Sequence, residues 1–373
     1  MKKMLVIGDG DSIFVKDFIN QYHKGKEGVI IDLISFGKDE KNEVVRLQKN
    51  FHTKLGFSFS AVKNFFEFRN NIIDKMDDDY DVVVIHFVYF FLAPHIFKIR
   101  SKTRKIVAVI WGSDFYRVTS KVKIFLQDII YKNVNNIIFT NPKTKELFSE
   151  KKKYIKTKLN VARFGLPVLD EIDKLGREDY IQFCGNFSLP VDKIKIMVGY
   201  NANLAHQQLL VLNQIVLFDK SILEKIHLIF PMGYGNNQSK VLIEEILKNN
   251  KNIQYTILEK FYNFNEAAKL RLVTDILINI QPTDQFSGSM QETLYAGGWV
   301  LTGTWLPYDA LLQFEPKMVL INEKEEVGKA LDGLIKSNCK NSLENTESIK
   351  AYIRNKSSWK NNFPTWYNIT FKD

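Results

Sequence analysis

Cysteine is scarce in this chain. Its 373 residues include only two cysteines, Cys184 and Cys339, which lie far apart and lack the close spacing of zinc ligands. This scarcity excludes a small domain held together by disulfides and disfavours a zinc-finger or zinc-ribbon protein. We expect both thiols to be reduced, packed side chains, as in a cytoplasmic protein.

Long hydrophobic runs are also missing. The longest run, Val82 to Ala93, is about half the length that a membrane-spanning helix needs, and it contains His86. The N-terminal sequence MKKMLVIGDGDS has an apolar run of only four residues, which is too short for the apolar region of a signal peptide. We therefore expect neither export nor a transmembrane helix, and a protein that is soluble or peripheral at a membrane.

Acidic residues are outnumbered by basic ones. The 52 Lys and Arg residues against 42 Asp and Glu give a formal net charge of +10, which favours an anionic partner such as phosphates or lipid headgroups. Zinc-finger spacing, an aromatic RNA-binding motif and an arginine-rich arm are all missing, so nucleic acid is disfavoured as the partner. A bias in genomic base composition is an equally good explanation of the lysine excess.

Apolar segments of strand length alternate with longer amphipathic segments along the whole chain. This alternation is typical of parallel sheets covered by helices on both faces, so the fold class is α/β. The length predicts two domains: residues 1–170, residues 171–350, and a tail of residues 351–373 that returns to the first domain. We expect two Rossmann-like, doubly wound domains facing each other across a cleft, with ligands beyond the carboxyl ends of the strands.

The predicted strands divide between the two domains. In the first domain they are Met4–Ile7, Val29–Ile34, Asp81–His86, Lys105–Ile110, Asn136–Thr140 and Leu159–Arg163, and in the second Lys195–Val198, Ile226–Phe230, Ile253–Ile257, Asp275–Ile280, Trp299–Thr302 and Met318–Ile321.

The segment Gln281–Leu301, QPTDQFSGSMQETLYAGGWVL, is the most informative in the chain. Asp284 follows a predicted buried strand, and Glu292 lies eight positions later on the predicted next helix. The amides of Phe286, Ser287, Gly288 and Ser289 would form the N-terminus of that helix, where phosphate binds. Glu292 would then accept hydrogen bonds from ribose hydroxyls. The alternative is an ordinary strand, loop and helix with an Asp at the helix start and a solvated Glu.

Two further loops follow strands of the second predicted sheet. The first contains Gly199 and Asn201, and the second contains Tyr234, Gly235 and Asn236. Glycine allows close approach of a ligand to the backbone, and asparagine can contact a base. Capping of the next helix by asparagine is the alternative for each loop. We predict these residues as donor-binding, with Lys240 or Lys260 as weaker candidates for the diphosphate.

The segment around Asp284 and Glu292 resembles the signature of retaining family-4 glycosyltransferases of the GT-B fold. The departures are Asp284 where Glu is usual, Ser287 for glycine, and Trp299 where proline is common. The loops of the second domain are more weakly similar to bacterial 4-acetamido-4,6-dideoxygalactose (Fuc4NAc) transferases. The resemblance implies a nucleotide diphosphate sugar as co-substrate, retention at the anomeric carbon, and no metal or other cofactor.

Candidate residues in the first domain line two loops and one strand end. The loop after the first strand contains Gly10, Asp11 and Ser12 and lacks the third glycine of the dinucleotide fingerprint, so a dinucleotide oxidoreductase is disfavoured. The segment Trp111–Arg117 resembles a histidine-glycine-x-aspartate segment of family-4 enzymes, with Trp111 in place of the histidine. We predict an acceptor side formed by Gly10, Asp11, Ser12, Trp111, Gly112, Ser113 and Arg117. The candidate catalytic residues are Asp284, Glu292, His86 and Asp114. A buried structural role for His86 and helix capping by Asp114 are the alternatives.

Aromatic and basic residues are mixed in the segments Phe51–Met76 and Phe87–Arg104, a combination that suits a membrane surface. The resemblance implies a lipid-linked acceptor, hence a peripheral enzyme on the inner face of the bacterial cell membrane. We therefore expect transfer of a hexosyl unit, with amino and deoxy sugars among the candidates, to a lipid-linked bacterial surface glycan. The alternatives are a nucleotide-sugar epimerase of the same fold and a non-catalytic nucleotide-sugar-binding protein.

Overall fold

Two parallel sheets organise the chain into two units. The structure, a computed structural model, describes residues 1–25, 28–37, 41–51, 66–175, 179–235, 238–342 and 346–372. The first unit consists of Met1–Gly165 together with Trp359–Asp373, and the second consists of Leu166–Ser358. The sequence predicted the corresponding boundaries at 170/171 and 350/351.

The first unit contains a seven-stranded sheet in the order β3-β2-β1-β4-β5-β6-β7, with every pair parallel. Its strands are β1 Lys2–Gly8, β2 Val29–Ser35, β3 Leu47–Asn50, β4 Val82–His86, β5 Ile106–Ile110, β6 Asn136–Phe139 and β7 Lys158–Val161. Its first helices are α1 Ile13–Lys24, α2 Ile96–Arg100, α3 Ser113–Tyr116, α4 Lys121–Asn133 and α5 Pro142–Lys151, with shorter helical turns at Phe68–Ile72, Ile73–Lys75 and Phe90–His95.

The second unit contains a six-stranded parallel sheet in the order β10-β9-β8-β11-β12-β13. Its strands are β8 Ile194–Val198, β9 Ile226–Pro231, β10 Tyr255–Leu258, β11 Ile276–Asn279, β12 Trp299–Gly303 and β13 Met318–Ile321. The helices are α6 Pro167–Lys174, α7 Tyr180–Asn186, α8 Gln208–Ile215, α9 Lys220–Leu223, α10 Gln238–Asn249, α11 Phe264–Val273, α12 Gly288–Tyr295, α13 Asp309–Leu312, α14 Val327–Lys336 and α15 Glu347–Ser357, with short turns at Leu204–His206 and Lys324–Glu326.

The last helix, α16 (Trp359–Phe371), belongs to the first unit. Trp366 is fully buried, and its ring packs edge-to-face on Phe18 of α1 with the centroids 5.2 Å apart. The Tyr22 hydroxyl and Thr370 Oγ1 are hydrogen-bonded at 3.0 Å. The aromatic residues of the predicted tail therefore extend the core of the first unit.

The central strands are apolar on both faces, because helices cover each sheet on both sides. All five residues of β4 and of β5 are buried, as are all five of β8. This burial explains why continuous Val and Ile runs identified these strands. The sheet of the second unit also buries an ion pair at the amino ends of its strands, where Lys195 Nζ lies 3.2 Å from Asp275 Oδ2. Both cysteines are buried and free of a disulfide, as expected for packed side chains.

Candidate functional site

The carboxyl ends of three neighbouring strands in the second unit bring the predicted donor loops together. Because β9, β8 and β11 are adjacent and parallel, the loops that follow them leave the same edge of the sheet. The loops after β8 and β9 are tied to each other, since the Ala202 amide donates to the Tyr234 carbonyl at 2.8 Å. This edge is where a ligand of the second unit is expected.

Helix α12 begins at this edge with a half-buried turn. Ser287 is its N-cap, and the Ser287 Oγ accepts a hydrogen bond from the Met290 amide at 3.2 Å. Within the described part of the chain, the amides of Gly288 and Ser289 have no protein acceptor. They are the first two donors of an eight-residue helix, where the helix dipole favours an anion.

Glu292 lies one turn into α12 and is 7% exposed. Its Oε2 accepts a hydrogen bond from Arg271 Nε at 3.0 Å. Its Oε1 accepts none from the residues that the structure describes, and it would lie 3.7 Å from a Cβ built on Gly288. The alternative of a solvated Glu with an Asp at the helix start is wrong in both parts, because Glu292 is buried and the cap is Ser287.

Arg271, near the end of α11, was missed by the sequence analysis. Its guanidinium donates from Nε to Glu292 and from Nη2 to Ser289 Oγ at 2.7 Å, while Nη1 lies 3.3 Å from Met197 Sδ. The residue is 7% exposed. An arginine in the otherwise apolar run Leu270–Val273 was the available signal, since a buried guanidinium needs acceptors.

Asp284 is held by Tyr308. The Tyr308 hydroxyl donates to Asp284 Oδ2 and accepts from Asn279 Nδ2 at 2.8 Å, while the Gln285 amide donates to Asp284 Oδ1 at 2.7 Å. Burial, reinforced by the nearby Asp284 carboxylate, raises the pKa of Tyr308 well above its ordinary value. The hydroxyl therefore stays protonated and keeps donating to Asp284. Neither Tyr308 nor Asn279 was predicted.

Tyr200 supports the loop after β8. Its hydroxyl accepts from Gln281 Nε2 at 2.8 Å, and its ring packs edge-to-face on His206 with the centroids 4.1 Å apart. Gly199 has φ +69°, and a Cβ there would meet His206 Cβ at 2.8 Å, so the position requires glycine. Asn201 is 8% exposed, and its Oδ1 accepts from the Asn203 amide at 2.8 Å. This contact forms a turn before the helix and is not a helix cap, because the N-cap of the next helical turn, Leu204–His206, is Asn203.

Tyr234 presents an exposed ring beside Phe261. These rings are 51% and 57% exposed, and their centroids lie 5.7 Å apart. The Tyr234 hydroxyl is close enough to the Asn201 side chain to form a hydrogen bond with it. Gly235 has φ +113°, and Asn236 lies outside the described residues. Of the two lysine candidates, Lys240 is paired with Glu259, with its Nζ 2.5 Å from Oε1.

His86 lies in the core of the first unit. It is fully buried, and its ring contacts Phe18 with the centroids 4.6 Å apart and also packs against Trp111, Phe164 and Trp366. Burial lowers the pKa of His86 to about 3. The geometry gives His86 the structural role that was its alternative, because no ring atom is accessible to a substrate.

Asp114 is also fully buried. Its carboxylate accepts from the amides of Val88 at 2.9 Å, Trp111 at 3.0 Å and Gly112 at 2.9 Å. Burial raises the pKa of Asp114 to about 6, although these amide hydrogen bonds oppose the shift. Asp114 therefore ties the loop after β5 to that after β4. It does not cap the following turn, because the N-cap of α3 is Gly112 and no side chain caps that helix. Ser113, the first residue of α3, and Arg117, which directly follows α3, are exposed.

The loop after β1 is a tight turn. The Gly10 amide donates to Ser35 Oγ at 3.1 Å, the Asp11 amide to Asp9 Oδ1 at 3.0 Å, and the Ser12 amide to the Asp9 carbonyl at 3.1 Å. A Cβ on Gly10 would lie 2.5 Å from Ser35 Oγ, so this position also requires glycine. The loop lies at the carboxyl edge of the first sheet, as predicted.

The segments predicted to dock on a membrane divide between core and surface. Residues 52–65 lie outside the described residues, and Phe68 is buried in the core. Phe97 is 65% exposed, and Phe125 of α4, which lies outside the predicted segments, is 64% exposed. No helix in the described ranges is both long and apolar enough to cross a membrane. Among those same residues, no cluster of three His, Cys, Asp or Glu side chains could hold a metal ion.

A family of glycosyltransferases matches the first part of the chain. Residues 3–141 match the family model described as glycosyl transferase 4-like. The comparison with curated protein sequences finds no match.

Solved structures match the whole chain. A glycosyltransferase from Rickettsia africae ESF-5 is similar with a TM-score of 0.72 and 15% identity, over 100% of this chain and 99% of that one. Sucrose-phosphate synthase from Thermosynechococcus elongatus is similar with a TM-score of 0.71 and 11% identity, over 100% and 99%. A structure described as trehalose-6-phosphate from E. coli bound with UDP-2-fluoro glucose has a TM-score of 0.70 and 11% identity, over 99% of each chain.

These similarities confirm the predicted GT-B fold, with two Rossmann-like parallel sheets. Together with the match over residues 3–141, they confirm the predicted enzyme class at the level of a GT-B glycosyltransferase.

Proposed function

We propose that this chain transfers a hexosyl unit from a nucleotide diphosphate sugar to a lipid-linked bacterial surface glycan. The observation that carries the donor part of the proposal is the start of α12. There, two amides without a protein acceptor lie one turn from the buried Glu292, whose Oε1 accepts no hydrogen bond from the described residues. An anion-binding helix start beside a carboxylate suits a diphosphate attached to a ribose.

The donor contacts follow from this arrangement. Glu292 Oε1 accepts hydrogen bonds from the ribose hydroxyls, and the Gly288 and Ser289 amides donate to the diphosphate. Asp284, held by Tyr308, orients a hydroxyl of the donor sugar. The exposed rings of Tyr234 and Phe261, at the ends of β9 and β10, offer a surface on which the base stacks.

The transfer proceeds with retention at the anomeric carbon. The acceptor oxygen forms a bond to that carbon as the bond to the diphosphate breaks, both on the same face of the sugar. The acceptor's proton passes to the leaving diphosphate, so no separate base is needed. Stabilisation of the charge that develops on the diphosphate is then the main catalytic contribution of α12.

The acceptor and the location are further parts of the proposal. The predicted acceptor side in the first unit is formed by Gly10, Asp11, Ser12, Trp111, Gly112, Ser113 and Arg117. Exposed Phe97 and Phe125, in a chain with a net charge of +10, support binding to the anionic inner face of the cell membrane.

A panel of nucleotides tests the donor site. We expect UDP, GDP or dTDP to raise the melting temperature of the protein more than CMP does, because only a diphosphate reaches the start of α12. Glu292→Gln keeps an acceptor for Arg271 Nε, and it should lower the affinity for the nucleotide, measured by calorimetry, by about tenfold. Glu347→Ala is the matched control, since that side chain is 90% exposed in the same unit.

Donor turnover separates the alternatives. The labelled nucleotide sugar that binds is incubated without acceptor, and the products are resolved by chromatography. Slow release of the free sugar and the nucleoside diphosphate supports a transferase. Formation of an isomeric nucleotide sugar would identify an epimerase, and tight binding without any conversion across the donor panel would identify a binding protein.

A further inference from the structure

Arg271 contacts two residues of the proposed donor site, Ser289 and Glu292. One edge of its guanidinium reaches Glu292 Oε2 through Nε at 3.0 Å, and Nη2 reaches Ser289 Oγ at 2.7 Å. Ser289 supplies one of the two amides at the start of α12, and Glu292 supplies the carboxylate. A single planar group therefore fixes both sides of the proposed donor site, which a lysine ammonium could not do with the same geometry.

The guanidinium is itself held in place. The side chain of Asn341 donates from Nδ2 to the carbonyls of Arg271 at 3.3 Å, Leu272 at 3.2 Å and Thr274 at 2.9 Å, which fixes the end of α11. Nη1 lies against Met197 Sδ at 3.3 Å. Arg271 is 7% exposed, so protein atoms surround most of its side chain.

The ion pair also sets the charge beside the start of α12. A lone buried carboxylate one turn from the helix start would repel a diphosphate. Arg271 compensates that charge, while leaving Glu292 Oε1 as an acceptor for a neutral hydroxyl. The pair thus lets one site bind an anion and a sugar hydroxyl side by side.

We propose that Arg271 is a positioning residue for ribose recognition: it orients Glu292 so that Oε1 faces the ribose hydroxyls of the bound nucleoside diphosphate, and it does not contact the nucleotide itself. The proposal rests on the donor site proposed above and assigns selectivity for the ribose hydroxyls to a residue outside α12.

The test compares two ligands on three proteins. The ligands are whichever of UDP, GDP or dTDP binds the wild-type protein, and its 3′-deoxy counterpart. The proteins are the wild type, Arg271→Lys, and the control Lys195→Met, which breaks a buried ion pair at the opposite edge of the same sheet. Dissociation constants are measured by calorimetry, and stability by thermal unfolding.

We expect the wild type to prefer the parent nucleotide over the 3′-deoxy form by about tenfold. Arg271→Lys should weaken binding of the parent nucleotide by about tenfold and binding of the 3′-deoxy form by less than about twofold, so the preference disappears. Lys195→Met should lower the melting temperature and keep the preference.

Two results would overturn the proposal: an unchanged preference in Arg271→Lys, including an equal loss of affinity for both ligands, or loss of the preference in the control. Ser289→Ala provides a second measurement if Arg271→Lys does not fold. This variant removes one of the two anchors and should reduce the preference by about threefold, and an unchanged preference would again count against Arg271. A wild-type protein that binds none of the three diphosphates would instead refute the proposed function.

Discussion

Tyr308→Phe isolates one hydroxyl at the proposed sugar end of the donor site. The side chain is 2% exposed, and its hydroxyl donates to the Asp284 carboxylate while accepting from Asn279 Nδ2 at 2.8 Å. The phenyl ring keeps its edge-to-face contact with Phe286, whose centroid lies 5.7 Å away. The substitution therefore removes two hydrogen bonds and preserves the packing.

The magnitude follows from the kinds of hydrogen bond that are lost. A hydrogen bond to a charged group contributes about 1.5–3 kcal/mol, and the buried Asn279 donor is left without its hydroxyl acceptor. We expect the free energy of unfolding of the second unit to fall by about 2–3 kcal/mol. Urea denaturation, followed by circular dichroism, measures this loss as a lower midpoint at unchanged slope.

Tyr131→Phe is the matched control, because it removes the same atom from an equally buried site. The hydroxyl of Tyr131, on α4, has no hydrogen-bond partner among the described residues. Removing an unsatisfied buried hydroxyl should leave stability unchanged or raise it by about 1 kcal/mol. Equal effects of the two substitutions, or a Tyr308→Phe protein as stable as the wild type, would refute the reasoning that Tyr308 holds Asp284.

Acid sensitivity and glycine packing provide the remaining predictions. Burial lowers the pKa of His86 to about 3 from 6.5. The unfolded state therefore binds the extra proton, and stability falls as the pH drops below about 6.5. Unfolding midpoints measured from pH 7 to pH 4 should show that His86→Phe removes about 3 kcal/mol of this loss. Burial raises the pKa of Asp114 to about 6, so protonation of Asp114 stabilises the folded state below that pH, in the wild type and in His86→Phe alike. An unchanged dependence of stability on pH in His86→Phe would therefore exclude His86 as the cause of the acid sensitivity. Gly233→Ala should prevent native packing, because the new Cβ would lie 2.2 Å from the Lys260 carbonyl oxygen. In Gly185→Ala, on α7, the new Cβ would meet no atom within 4 Å, so this variant should stabilise the protein by about 0.5–1 kcal/mol. Expression and thermal unfolding of both variants check this prediction, and a well-folded Gly233→Ala protein would contradict it.

Most strands were predictable because their residues are buried on both faces. Every strand predicted from sequence is present, with ends shifted by no more than two residues. The exception is β3, Leu47–Asn50, which was not predicted. Its LQKN sequence is polar and half-buried at the edge of the sheet, so it lacks the apolar run by which strands were recognised.

The side chains that surround the candidate site were less predictable than its loops. Asp284 and Glu292 stood out because they flank a helix start, but Arg271 and Tyr308 come from separate segments, 21 positions before Glu292 and 24 positions after Asp284. Such pairings depend on how helices pack against the sheet, and local sequence does not encode them. His86 illustrates the converse: it stands at a strand end, but the surrounding aromatic rings bury it.

A crystal structure of the chain with a bound nucleoside diphosphate tests the donor site most directly. We expect the β-phosphate to lie within hydrogen-bonding distance of the Gly288 and Ser289 amides, and a ribose hydroxyl to lie within hydrogen-bonding distance of Glu292 Oε1. A nucleotide bound elsewhere on the chain, with Glu292 in contact only with Arg271, would contradict it.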